Sequence, residues 1–341
     1  MKTSTLLRFG HVATRYHLTG QRAPLNTMIA LTDHCNARCA YCDIPARGRP
    51  GLESKALLRL IDELAEAGCA RLGFWGGEPL LRPDLGALID HAHARGLWTS
   101  LDTNGYLFPR RAQELQNLDH VVFSLDGSRT NHELNREAGA YDKVMAAIQC
   151  AAEMKKPFWT LTVLTRHNLG DVEMILDLAE ETGGRAAFQV LHHPPGVAST
   201  GVGALAPEPE ALRDALRALL AAKEAGRPVA VSRGTLHHLI TWPDYSQRCS
   251  YTPSRPRCLA GELWVNIDPE GQLFACSLWP DHKSPPNAVT EGFAAAFERL
   301  TAPPCRACLA TCFTEVQGLF SLHPAALKEA LVNLLPQRSA P

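Results

Sequence analysis

The chain has 341 residues and a formal net charge of −1, with 34 Lys and Arg against 35 Asp and Glu. That balance sets up no broad field for nucleic-acid phosphates, and 45% hydrophobic with 20% charged residues is a globular composition. The N-terminus lacks a signal-peptide pattern, and no run reaches the roughly 20 apolar residues of a membrane span. The sequence therefore predicts a cytoplasmic protein, in which grouped members of the 11 cysteines are metal ligands or catalytic groups before they are disulfides.

Residues 1–24 read as an N-terminal extension, a surface-packed helix with Leu6, Leu7, Phe9, Val12 and Tyr16 as apolar anchors; a membrane-lying amphipathic segment is the alternative. From Pro24 onward strand-like and helical runs alternate. Strands are expected at Asn26–Leu31, Arg71–Trp75, Leu97–Asp102, His120–Leu125, Phe158–Leu164 and Arg185–Leu191. Helices are expected at Ser54–Ala67, Pro83–Arg95, Pro109–Gln116, Asp142–Lys155 and Leu169–Thr182. In the first of these Ala56, Leu57, Leu60, Ile61 and Leu64 form one apolar face. Repeated strand–helix units imply parallel strands with right-handed crossovers, so residues 25–232 are predicted to be an α/β partial (β/α)6 TIM-like barrel. Functional loops in such a fold follow the C-terminal ends of the strands.

His192–Ala206 is rich in Gly, Pro and small residues and reads as a loop; a helix at Glu208–Ala225 and a strand at Pro228–Ser232 follow. Residues 233–315 form a small cysteine-rich C-terminal domain. Glu262–Ile267 and Gln272–Cys276 flank Asp268-Pro269-Glu270-Gly271 as a hairpin, and a short helix is expected at Gly292–Leu300. Residues 316–341 are a C-terminal helix, expected at Pro324–Leu335, and a tail. The small domain has little periodic apolar sequence and is expected to be stapled by metal.

The most informative spacing is Cys35-x3-Cys39-x2-Cys42, directly after the first strand. Three thiolates on one loop hold three irons of a cubane and leave the fourth iron open, whereas an electron-transfer cluster normally takes four cysteines. A zinc site, with His34 as a nitrogen donor, is the competing reading. Gly76-Gly77-Glu78-Pro79 follows the second strand, Thr103-Asn104-Gly105 the third, and Ser124-Leu125-Asp126-Gly127 closes the fourth, with His132 and Arg136 shortly after.

Cys35 to Cys42, with Tyr41 before the third cysteine, resembles the signature of the radical S-adenosylmethionine (SAM) superfamily, and the ordered motifs extend that resemblance over residues 25–192. The resemblance implies that Cys35, Cys39 and Cys42 hold a [4Fe-4S] cluster whose open iron is chelated by SAM. Reductive cleavage would then give methionine and a 5′-deoxyadenosyl radical that abstracts a hydrogen atom from substrate. It also implies that Gly76 and Gly77 allow close approach to the SAM amino group, with Glu78 as an acceptor. Ser124 and Asp126 would reach the ribose, helped by Asn104, and Arg136 would meet the SAM carboxylate. The backbone at Tyr41 and Asp43, with Leu191, would border the adenine. His132 is expected to be structural.

Cys258, Cys276, Cys305, Cys308 and Cys312 crowd the C-terminal third. Their arrangement resembles the auxiliary-cluster domain called SPASM, or its shortened twitch form. With no cysteine after Cys312, the resemblance implies one auxiliary [4Fe-4S] cluster. Cys258, Cys276, Cys305 and Cys308 are the first set, with Cys312 able to replace Cys305, and Cys249 a further candidate. A structural zinc knuckle is the alternative. Cys69 and Cys150 read as buried small hydrophobes.

The expected function is SAM cleavage and hydrogen-atom abstraction, with the auxiliary cluster assisting oxidation or substrate binding and flavodoxin or ferredoxin as electron donor. Competing expectations are a redox-neutral epimerase or carbon–carbon coupling enzyme, and an iron-sulfur electron carrier or zinc scaffold. The substrate is unidentified: a small metabolite, sugar, cofactor precursor, lipid-like molecule or peptide. Only about 25 residues precede the first strand, too few for a leader-gripping domain, which counts against a peptide. Among pocket candidates, His192 and His193 read first as structural, and Trp242, Tyr245, Trp264 and Trp279 as small-domain core.

Overall fold

The computed structural model describes residues 3–192, 202–251, 258–277, 284–320, 324 and 327–329. The expected helix 324–335, Trp279 and His193 lie wholly or mostly outside the described residues.

Six strands alternate with helices: β1 (Asn26–Ala30), β2 (Arg71–Trp75), β3 (Trp98–Thr103), β4 (His120–Ser124), β5 (Phe158–Leu164) and β6 (Arg185–Val190). Each pairs in parallel with its sequence neighbour. The reason is visible in the side chains. Odd and even positions go to opposite faces, so Leu72 and Phe74 of β2 are fully buried against the helices while Arg71 and Trp75 face the other side and are half-buried. The predicted helical face of Ser54–Glu66 packs into the same core through Leu57, Leu60, Ile61 and Leu64.

β7 (Cys249–Ser250), β8 (Trp264–Ile267), β9 (Leu273–Phe274) and β10 (Ala307–Cys308) come from the C-terminal third. β8 pairs in parallel with β1, and β9 in antiparallel with β8, so the sheet order is β6-β5-β4-β3-β2-β1-β8-β9. The hairpin thus continues the main sheet instead of forming a separate layer. The expected strand at Pro228–Ser232 is reduced to one parallel bridge, Ala186 to Val229. Its apolar residues Val229 and Val231 pack between β6 and the helix Pro209–Glu224, so burial, not a ladder, explains the run.

The sheet is not closed. The helix Thr311–Phe320 lies on the open side. At its start Thr311 N donates to Gln189 Oε1 of β6 (3.0 Å), and Phe313 packs edge-on against Trp264 of β8 at 4.9 Å between ring centroids. It therefore ties the two halves of the sheet across the gap. The N-terminal helix Thr3–Thr19 is packed on the protein: Val12, Ala13 and Tyr16 bury against Leu25, Ala70, Leu259, Leu263 and Phe320. This places Phe9, Val12 and Tyr16 of the expected anchors in a core, while Leu6 and Leu7 are exposed. Among the described residues no helix is long and apolar enough to cross a membrane.

Phe313→Ala removes a buried ring (5% exposed) that seals the open side. A loss of about 3–5 kcal/mol is expected, read as a lowered midpoint in thermal or denaturant unfolding.

Candidate radical SAM site

The cysteine loop follows β1 and is held from below by the end of β2. Gly77 N donates to Thr32 O (2.7 Å) and Glu78 N to His34 O (2.8 Å). Neither glycine has room for a side chain. A Cβ on Gly76, whose φ is +131°, would lie 2.4 Å from Thr32 O, and one on Gly77 2.2 Å from His34 O. Both obstacles are backbone atoms of the cysteine loop and cannot swing aside.

Glu78 is fully buried. Its Oε1 accepts from Leu80 N (2.9 Å) and Thr103 Oγ1 (2.8 Å), and its Oε2 from Asn104 N (2.8 Å). Burial still raises its pKa to about 7 against these hydrogen bonds. The carboxyl thus joins the ends of β2 and β3. Asn104 continues outward: its Nδ2 donates to Asn36 Oδ1 (2.8 Å) and approaches Cys35 Sγ at 3.9 Å, so it holds the cysteine loop.

A second network runs from β4. Asp126, fully buried, accepts from Arg136 Nε (2.7 Å) and Tyr41 Oη (2.6 Å) on Oδ2, and from Val163 N (2.9 Å) on Oδ1. Arg136 also donates to Tyr41 Oη (2.6 Å) and points Nη1 at Cys39 Sγ, 3.4 Å away. Both Asp126 oxygens thus accept hydrogen bonds from the chain, Oδ1 from one donor only, and Ser124 lies half-buried at the end of β4. Arg136 retains two uncommitted N–H groups for an incoming carboxylate. His132 accepts on Nδ1 from Asp126 N (3.0 Å), and burial lowers its pKa to about 4. It is a neutral, structural histidine, as expected.

One anchor was not legible in the sequence. Arg49 donates from Nε to Asp33 Oδ2 at 2.5 Å and from Nη1 to Asp268 Oδ2, tying the cysteine loop to the turn between β8 and β9. No local pattern announces a contact spanning 219 residues.

Burial raises the pKa of all three thiols, that of Cys39 to about 11, and the sulfurs act on one another electrostatically. Ala37 N, at 3.4 Å, is a further donor to Cys35 Sγ. Three neighbouring thiols, with N–H groups aimed at two of them, fit thiolates whose negative charge the irons of a bound iron-sulfur cluster would balance.

The C-terminal cysteines also gather. Burial raises Cys305 to about 12, with Cys258 and Cys249 adding to it. Cys308 is pushed higher still by burial, with Cys276 and Cys258 as neighbours. Cys249 stands directly opposite Cys308 in the β7–β10 pair, so it belongs to this group. Cys312 differs. The residue is exposed, and the lumen-facing Asp102 and Arg71 act on its thiol electrostatically. Among the described residues, no three Cys, His, Asp or Glu side chains form a single-ion site.

A parallel, unclosed α/β sheet with a three-cysteine loop at β1 is the arrangement of one family, and its sequence model, the radical SAM superfamily, matches residues 29–179. The chain belongs to the radical SAM superfamily, and its cofactors are a [4Fe-4S] cluster and SAM. Within that family it is similar to PqqA peptide cyclases. The protein from Ruegeria pomeroyi is 34% identical over 267 residues, covering 74% of this chain and 68% of that one. The protein from Granulibacter bethesdensis is 30% identical over 265 residues, covering 74% and 67%. Among solved structures, Streptococcus suis SuiB bound to S-adenosylmethionine has a TM-score of 0.65 at 14% identity, covering 82% of this chain and 67% of that one. The structure of anSMEcpe with bound AdoMet gives 0.62 at 18% identity, covering 81% and 80%. Both share the fold.

Gly77→Ala forces a methyl into backbone. It is expected to lower the unfolding midpoint by roughly 4–10 °C and to cut the iron retained after anaerobic reconstitution. Calorimetry and iron assay check both. Arg136→Gln removes the cation beside Cys39 and Asp126; weaker SAM binding by about tenfold or more is expected in equilibrium titration.

Proposed function

We propose that this enzyme takes a hydrogen atom from a peptide. It does so with its SAM-binding cluster on Cys35, Cys39 and Cys42 and one auxiliary [4Fe-4S] cluster on Cys258, Cys276, Cys305 and Cys308. The observation that carries this reading is that two separate thiol groups are built onto one barrel in a chain 34% identical to a PqqA peptide cyclase. Similarity to PqqA peptide cyclases supports a peptide over the other substrate classes.

When bound, the cofactors would supply an electron that cleaves SAM, a radical that abstracts hydrogen, and a second cluster able to take up the electron that the substrate radical gives up on becoming product. The chain's own groups prepare the place. Gly76 and Gly77 leave backbone bare beside the cysteine loop, and Glu78 fixes that backbone to β3. Asp126 and Tyr41 hold Arg136 at Cys39, with N–H groups free for the SAM carboxylate, while Ser124 faces the ribose. Helix Thr311–Phe320 bridges β6 and β8 across the open side of the sheet.

The cyclase relatives favour an oxidative, ring-closing outcome. One observation favours a redox-neutral epimerisation instead: the exposed Cys312, on whose thiol the lumen-facing Asp102 and Arg71 act electrostatically, carries an S–H bond able to return a hydrogen atom to a substrate radical. Solvent deuterium incorporated once per product with unchanged mass otherwise would identify that route.

Anaerobically reconstituted protein is expected to hold about eight iron atoms per chain, falling to about four when Cys35, Cys39 and Cys42 are replaced by Ala. Incubated with dithionite, SAM and side-chain-deuterated peptides, it should move deuterium into 5′-deoxyadenosine. SAM cleavage without deuterium transfer from any peptide would remove the peptide and leave the enzyme class standing.

A further inference from the structure

The lumen face of the sheet carries a half-buried guanidinium that makes no ion pair among the described residues. Arg71, the first residue of β2, extends along the lumen and spends its hydrogen bonds on neutral acceptors. Nη1 donates to Asn26 Oδ1 (2.8 Å) and reaches Met28 Sδ (3.5 Å), and Nη2 donates to Ser100 Oγ (2.9 Å). The guanidinium also lies against the Trp98 ring, 5.6 Å from its centroid. Among the described residues no carboxylate makes an ion pair with it. Asp102, one layer further along β3, acts on it electrostatically without reaching it. An unpaired guanidinium in such a place is costly unless something else supplies the charge.

A second observation points the same way. Asn26 is 1% exposed, and because its Oδ1 must be the atom accepting from Arg71, its Nδ2 is a donor; that donor has no partner. A bare cation and a bare N–H donor on adjacent strands share one need, an acceptor oxygen carrying negative charge.

We propose that Arg71 and Asn26 form a carboxylate-binding subsite in the barrel lumen, which orients the substrate by an acidic group. This rests on the peptide reading for the source of the carboxylate, either an acidic side chain or a chain terminus. The recognition itself requires only the charge. Asp102, close by and of like sign, opposes the ligand.

The test is binding, without turnover, to the anaerobically reconstituted chain. The probes are N-acetylglutamate methylamide, carrying a side-chain carboxylate, N-acetylglycine, carrying a terminal one, and the neutral N-acetylglutamine methylamide. Calorimetric titration should show binding of at least one carboxylate and no binding of the amide; which carboxylate binds identifies the source. Arg71→Gln should weaken it about tenfold or more. Asp102→Asn should strengthen it by roughly twofold to fivefold, a gain that a purely structural role does not produce. If Arg71→Gln fails to fold, the Asp102→Asn arm decides. Equal binding of carboxylate and amide probes, no binding of any probe, or unchanged affinity in Asp102→Asn overturns the subsite. None of these outcomes depends on deuterium transfer, so the subsite and the peptide reading fail separately.

Discussion

The structure turns on backbone meeting backbone where the end of β2 supports the cysteine loop. Two hydrogen bonds, Gly77 N to Thr32 O and Glu78 N to His34 O, set the height of that loop above the sheet. They form only because Gly76 and Gly77 carry no Cβ, which would overlap loop carbonyls. Glu78 then passes the constraint to β3 through Thr103 and Asn104, and Asn104 returns it to the loop at Asn36. The thiols are therefore positioned by peptide groups from three strand ends, a more rigid support than side-chain packing alone would provide.

The two faces of the sheet do different work. Toward the helices β2, β3 and β4 present fully buried Leu72, Phe74, Leu101, Val121 and Phe123, and the hydrophobic effect supplies the stability. Toward the lumen they present Arg71, Trp75, Ser100, Asp102, His120 and Ser124. This polar lining costs stability, and two of its carboxyl and imidazole groups are driven toward their neutral forms. Burial raises Asp102 to about 6 and lowers His120 to about 3. Such perturbation is frequent where chemistry or binding takes place.

The C-terminal third is integrated with the barrel more closely than its composition suggests. β8 adds to β1 in register, Arg49 couples the turn at Asp268 to Asp33 beside the cysteines, and helix Thr311–Phe320 spans from β6 to β8.

By itself the sequence determined the parallel β/α order, because period-2 and period-3.6 apolar patterns alternate cleanly from Asn26 to Val190. It also determined the three-cysteine loop and the strand-end motifs, because each is a local run whose chemistry is contained in its spacing. Tertiary structure alone decided what these motifs touch. Asp126 turned to Arg136 and Tyr41, and Glu78 to Thr103 and Asn104. It decided that Cys249 faces Cys308 while Cys312 is exposed, and that Thr311–Phe320, with two threonines and two phenylalanines in ten residues, is helical. It also decided that Arg71 makes no ion pair among the described residues. The physical reason is common to all of these: hydrogen bonds, charge pairing and burial depend on distances between residues tens to hundreds of positions apart, and short-range periodicity does not encode them.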